Sequence, residues 1–247
     1  MISIKSEKDI DGIRESCKIV RDTLRFVEKR IHAGMTTGEV DRLAYEYITG
    51  CGAIPSCLGY EGYPASTCVS VNEVVVHGIP SERVLKEGDV VSVDLCVLKN
   101  GWQGDGARTF LIGTPSEADK RLVDVTRQCF FEAIDGLKAG SPLYDIGYRV
   151  QTYAESNGFG VVRSFTGHGI GREMHEDPSV PNFGKKGTGM RLKAGMVLCI
   201  EPMITAGDWR VVTLPDGWTS VTRDGSKAAH YENTVVIRED GVEILTV

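Results

Sequence analysis

Asp94 interrupts the apolar run Val90 to Leu98, whose length and β-branched content read as a strand covered on both faces. A bare carboxylate in that setting is costly, so it needs a cation or several hydrogen-bond donors. Just beyond the run, Asn100-Gly101 is the strongest short signal for a two-residue hairpin turn. Counting outward from that turn sets Lys99 opposite Trp102 and Cys96 opposite Asp105. Asp94 shares a face with Cys96, which makes Asp94 and Asp105 diagonal neighbours, about 7–8 Å apart at the backbone. That gap suits a metal ion held between them. The alternative is that two aspartates simply flank a turn.

The rest of the chain can supply a large core around such a site. It has 247 residues, 41% of them apolar and 25% charged, the balance of a globular protein. A net charge of -6 without a dense basic run argues against nucleic acid as a partner. The opening MISIKSEKDI carries charges where a secretory leader needs an apolar centre, and no apolar run reaches membrane-spanning length, so a cytoplasmic location is expected. Seven cysteines without a C-x-x-C pair read as reduced, packed thiols rather than a disulfide framework or a zinc knuckle.

Ser6 and Asp9 make a capping-box pattern ahead of Ile10, Ile13, Cys17, Val20, Leu24, Val27 and Ile31, an amphipathic helix that Gly34 should end. Thr37 is expected to cap a second helix closing near Gly50. A third, capped by Ser116 and Asp119, should run through Leu122, Cys129, Ala133 and Leu137 to Gly140, and a fourth should span 144–156. Strand-like pieces follow at 161–165, 196–203 and 233–238.

Two internal matches organise these elements. IHAGMTTGEV at 31–40 aligns with LKAGSPLYDI at 137–146, and LKEGDVVSVD at 85–94 aligns with LKAGMVLCIE at 192–201, at offsets of 106 and 107. They predict a single catalytic domain of two repeat halves, about 1–114 and 115–247, each with two helices followed by antiparallel strands. Chance similarity of short Lys/Gly pieces is the alternative. Under duplication, Asp94 and Glu201 hold equivalent places on equivalent strands and meet at a central axis.

Five candidate ligands collect there: Asp94, Asp105, His168, Glu201 and Glu232. Four carboxylates with one imidazole suit two divalent ions such as Mn, Fe, Co or Zn, spaced about 3.5–4 Å apart. Taken singly, Glu232 at a strand edge would read as a solvated side chain. His230 shares strand parity with it and could stand behind it, whereas His32 reads as a solvent group.

The motifs CLGYEGYP, NEVVVHGIP, VSVDLCVLKNGWQGD, TGHGIGREMHEDP, CIEPM and HYENTVVI give the chain, over nearly its whole length, a resemblance to the type I methionine aminopeptidases. The type II enzymes carry a large insertion between the positions matching His168 and Glu201, where only 32 residues intervene here. The resemblance implies an α+β pita-bread fold and removal of N-terminal methionine from peptides and nascent proteins with a small second residue. It further implies that Asp94 and Asp105 bind one ion and His168 and Glu201 the other, with Asp105 and Glu232 shared. Hydroxide generated at the metals would attack the peptide carbonyl, Glu201 would shuttle the proton, and protonated His175 or His77 would help to stabilise the oxyanion.

By the same resemblance, His77 and His175 contact substrate and Cys57, Tyr60, Tyr63, Cys68, Met174 and Trp218 line the methionine pocket. Met174 departs from the pattern, since well-known bacterial members carry an aromatic ring there. A monomer is expected, free of nucleic acid and membrane, with proximity to the ribosome left open. The competing readings are an Xaa-Pro dipeptidase or aminopeptidase of the same fold, and a non-catalytic pita-bread binding module.

Overall fold

The computed structural model describes residues 2–247. Among the described residues four α-helices form on amphipathic segments, three of them behind a polar cap and the fourth behind Leu143, whose side chain caps nothing. Helix α1 spans Glu7–Glu28 and starts on the Ser6/Asp9 capping box, with both reciprocal hydrogen bonds made. It stops earlier than its periodicity suggests, because the N–H groups of Arg30 and Ile31 both turn back to the Val27 carbonyl at 2.8 Å. Ile31 keeps the apolar spacing because it packs on the same core from beyond the helix. Helix α2, Thr37–Gly50, is capped by Thr36 and not by Thr37, whose hydroxyl instead donates to the Ser81 carbonyl at 3.1 Å. Helix α3, Glu117–Ile134, is capped by Ser116 and ends before Leu137, which packs into the core after the turn. Helix α4 spans Tyr144–Ser156, as its pattern predicts.

The strands Val90–Lys99 and Trp102–Leu111 pair through ten rungs, from Lys99 opposite Trp102 to Val90 opposite Leu111, with Cys96 facing Asp105 and Asp94 facing Ala107. Asn100 and Gly101 have φ of 51° and 77°, the pair of left-handed residues that a two-residue turn of matching twist requires. The hairpin belongs to a four-stranded sheet with Cys68–Val71 and Ile54–Pro55. A five-stranded sheet runs in the order Val242–Ile244, Asn233–Ile237, Val197–Ile200, Thr166–Gly169 and Glu176–Pro181. Two three-stranded sheets complete the fold. The expected strand at 196–203 is split, because Pro202 has no N–H to continue the ladder after Ile200 and the chain resumes as Met203–Thr205. The piece expected at 161–165 forms a strand only over Gly160–Val161.

One core packs α1 and α2 on the hairpin sheet, and a second packs α3 and α4 on the five-stranded sheet. Ile10, Ile13 and Cys17 of α1 also cover Ile170, Val197, Cys199, Val236 and Leu245, so this helix rests on both sheets. The backbone contacts of the two matched segments recur. Gly34 N–H donates to Leu85 O as Gly140 does to Leu192 O, each at 2.8 Å. Leu85 N–H returns to Met35 O as Leu192 does to Ser141 O, and the isolated bridges Thr36–Val84 and Pro142–Arg191 occupy the same relative places.

Helix α1 lies so close to the hairpin that an added Cβ at Gly104 would meet Cys17 N at 2.7 Å and Ser16 C at 2.9 Å, both backbone atoms. Gly104→Ala is therefore expected to cost about 1–3 kcal/mol in urea unfolding. At Gly50, where nothing lies within 4 Å, alanine should instead stabilise by roughly 0.4–1 kcal/mol. Equal small effects at both positions would mean that α1 does not bear on the hairpin as described.

Candidate metal centre

Three adjacent strands of the five-stranded sheet deliver three of the candidate ligands. His168 lies in Thr166–Gly169 and pairs with Cys199, Glu201 follows Val197–Ile200, and Glu232 precedes Asn233–Ile237. Asp94 and Asp105 come across from the hairpin, which is tied to this sheet by short polar contacts. Thr234 Oγ1 donates to Asp105 O at 2.8 Å and accepts from Asp105 N–H at 3.1 Å, while Glu232 N–H donates to Ala107 O at 3.0 Å. Asn182 Nδ2 donates to Glu201 O at 2.9 Å, holding the backbone where the strand breaks.

The side chains converge. His168 Nε2 lies 3.7 Å from Asp105 Oδ2 and 3.7 Å from Glu201 Oε1. His168 Nδ1 sits 2.9 Å from Gly169 O, a contact that puts the proton on Nδ1 and leaves the Nε2 lone pair facing the carboxylates. One ligand atom each from Asp105, His168, Cys199 and Glu232 fall within 4.8 Å of one another. Sequence reasoning did not single out Cys199. Burial holds its thiol well above its ordinary pKa, and it packs among Val197 and Val236 beneath α1. The Cys96 thiol donates to Asp105 Oδ2.

The electrostatics of the cluster point to cations. Burial, followed by the charge of Asp105, raises Asp94 to about 8. Burial raises Asp105 to about 7, against the Cys96 hydrogen bond, and raises Glu201 to about 8. Glu232 is pushed well above its ordinary value by burial and by the Asp105, Glu201 and Asp94 carboxylates. Burial lowers His168 to about 3. Among the described residues no Lys or Arg side chain lies within 4.0 Å of any of these carboxylates, and the buried Asp105 Oδ1 and Glu232 Oε1 have no hydrogen-bond partner. A set of hard oxygen donors with one imidazole, left with orphaned lone pairs, fits divalent metal ions.

These residues form one wall of a cavity of about 450 Å³, and every other candidate from the sequence lines it too: His77, His175, Cys57, Tyr60, Tyr63, Cys68, Met174 and Trp218. His77 follows the strand Val74–Val76 with φ of 58°, an uncommon conformation for a side-chain-bearing residue. Its ring sits edge-on to Phe165 at 5.3 Å and to Trp218 at 6.2 Å. The His175 ring meets that of His168 at 4.3 Å, and its Nδ1 lies 2.8 Å from Tyr60 OH. Burial lowers His77 to about 4 and also lowers His175. Both are therefore neutral near pH 7, which corrects the expectation of a protonated imidazole; a neutral ring still donates through its one N–H.

Tyr63 OH donates to Gly78 O at 3.0 Å and its ring packs on Trp218 at 5.1 Å. Met174 is only 6% exposed and packs with Cys57, Cys68 and Cys96, so it lines the cavity and belongs to a core at once. Phe165 and Met203 escaped the sequence reading as site residues, while the sequence offers His230 only as a residue behind Glu232. Phe165 and Met203 line the cavity, and His230 Nε2 stands 3.6 Å from Glu201 Oε2. Phe165 and Met203 lie three residues before His168 and two after Glu201, a proximity that was the only signal available for them.

The family model described as Metallopeptidase family M24 matches residues 11–239. A methionine aminopeptidase from Clostridium acetobutylicum is 53% identical over 247 residues, covering 100% of this chain and 99% of its own. The solved methionine aminopeptidase of Thermotoga maritima superposes with a TM-score of 0.98 at 48% identity, over 100% of this chain and 99% of its own. The prolidase of Pyrococcus furiosus, 24% identical with a TM-score of 0.80, shares the fold over 99% of this chain and 65% of its own. With its ligand cluster, its cavity and its full-length likeness to these enzymes, the chain belongs to metallopeptidase family M24, on the pita-bread fold, among the methionine aminopeptidases.

Proposed function

We propose that this protein is a metal-dependent methionine aminopeptidase that trims the first residue from peptides and nascent proteins whose second residue is small. The observation that carries the reading is a buried cluster of four carboxylates and His168 set against a wall of sulfur and aromatic groups in one cavity. Thioether–aromatic contacts of about 0.3–1.5 kcal/mol each suit a methionine side chain there. In this proposal Asp94 and Asp105 would hold one divalent ion and His168 and Glu201 a second, with Asp105 and Glu232 serving both. Bound ions of this kind supply Lewis acidity and lower the pKa of water to near neutrality. Glu201 would take a proton from the attacking water and return it to the leaving amine. When Tyr60 OH donates to His175 Nδ1, the proton of His175 sits on Nε2, from which it can steady charge on the attacked carbonyl. His77 is assigned to the amide beyond the cleaved bond. The recurring hydrogen bonds support one catalytic domain of two repeat halves, about 1–114 and 115–247. The protein acts as a cytoplasmic monomer, without nucleic acid or membrane as partners.

Release of methionine from Met-Ala-Ser, abolished by chelator and restored by Mn, Fe or Co, is the expected result. Proline release from Ala-Pro in its place would favour the dipeptidase reading. Met174→Phe should stiffen the pocket and lower the relative kcat/KM for leucine-initiated peptides about tenfold while keeping methionine. Unchanged ratios would leave Met174 as packing alone. Glu201→Gln is expected to lower kcat by about 10²-fold or more with KM little altered. Metal content must be measured alongside, and a fully metallated variant of near-normal rate would exclude Glu201 from proton transfer.

Metal removal should also leave a pH signature. In stripped protein Asp94, Asp105 and Glu201 titrate near 7–8 when folded against 3.8–4.5 otherwise, so the folded state binds more protons and loses stability as pH rises through this interval. His168 and His77, lowered to about 3 and about 4 from 6.5, lose stability in the other direction, as pH falls below 6.5. The window from 6.5 to 8 therefore isolates the carboxylates. Over it, the difference in melting temperature between metal-loaded and stripped protein should widen. A difference that does not grow with pH would contradict a carboxylate cluster neutralised by cations.

A further inference from the structure

A second cavity, of about 410 Å³, lies between α1 and α3, with its floor on the strand Trp102–Leu111 and on His230 and Tyr231. Four guanidinium groups line it, Arg21 and Arg25 from α1, Arg108 from the strand and Arg127 from α3, in a chain whose net charge is -6. Arg21 is neutralised by Asp22 at 2.8 Å. The other three have no carboxylate within 4.0 Å among the described residues. Arg108 donates to Ala107 O at 2.8 Å, Glu232 O at 2.5 Å, Asn233 Oδ1 at 2.7 Å and Thr246 O at 3.3 Å and lies 4.3 Å above the Tyr231 ring, so both terminal nitrogens are engaged within the protein while the cation keeps its charge. Tyr231 and the Glu232 carboxylate favour its charge, and Arg127 and Arg25 are near enough to repel it. The single carboxylate side chain on the lining, Glu28, is exposed and pairs with none of them.

Like charges converging on one concavity, from two helices and a strand that are each fixed by their own packing, define a place for an anion. A phosphoryl group carries about -1.5 to -2 charges on three acceptor oxygens, which matches several guanidinium forks better than a singly charged carboxylate does. The volume exceeds what inorganic phosphate needs and falls in the range of ligand pockets, about 300–1,000 Å³. Leu24, Phe110, Val123 and Tyr231 supply an apolar and aromatic wall beside the charges.

We propose that this cleft binds a small organic phosphate of about mononucleotide size, its phosphoryl group between Arg25 and Arg127 with the Arg108 charge behind them, and its organic body on Phe110. The site is separate from the methionine pocket and does not depend on the activity proposed above. Calorimetric titration of the metal-loaded protein with adenosine monophosphate tests it, with adenosine and inorganic phosphate as comparison probes. Binding should survive saturation of the active site with methionine, weaken with added salt, exceed that of either comparison probe, and fall about tenfold or more in the R25A/R127A double variant. Both arginines are exposed on helices, so the variant should fold, and without ligand it should melt no lower than the parent because like charges have been removed. Adenosine monophosphate should raise the melting temperature of the parent and not of the variant. Absence of binding, equal affinity in the double variant, or displacement by methionine would each overturn the proposal.

Discussion

Four carboxylates buried together are unstable company, and the architecture around them is arranged to hold them there nonetheless. Burial and mutual repulsion push each toward its protonated form, so the cluster gains its charge only when cations share the space. Two of the four come from the hairpin and two from the five-stranded sheet. A divalent ion bound among them therefore joins the sheets, reinforcing what the Thr234–Asp105 and Glu232–Ala107 hydrogen bonds begin. Stability and chemistry are coupled through the same atoms.

Much of this arrangement was written in local signals. A turn dipeptide fixes a register, and from it the relation of Asp94 to Asp105 follows by counting, because side chains alternate along a strand without exception until a bulge intervenes. Charges within apolar runs likewise mark Glu201 and Asp94 without any knowledge of the fold. Helix ends were less legible. Ile31 and Leu137 continue the apolar spacing of α1 and α3 although the chain has already turned, since the same core faces them on both sides of the bend. Phe165 could not be read as a site residue at all: what brings it near His77 is the packing of separate elements, which leaves no periodic trace, and strand parity offered His230 as a neighbour of Glu232 without showing its approach to Glu201. The neutral state of His77 and His175 was likewise hidden, because burial depends on neighbours distant in sequence.

The two matched strands diverge where function requires it. Val90–Lys99 runs on past Asp94 to its turn, keeping that carboxylate within a continuous ladder. Its counterpart stops at Ile200, and Pro202 denies Glu201 a place in any ladder. The second carboxylate thus sits at a break, beside open cavity, which leaves room for the proton transfer proposed for it. The first sits where its position is most firmly determined.

Helix α1 rests on residues as distant along the chain as Val236 and Leu245. Made before those strands, it has one face matched by the hairpin and another that waits for them. Until they arrive, Ile10, Ile13 and Cys17 remain without their partners, and contacts of such long separation form late and slowly. Folding of this helix thus waits on synthesis of distant strands: a chain interrupted before them would display an apolar stripe on α1, a ready target for chaperones and proteases that sort unfinished proteins from finished ones.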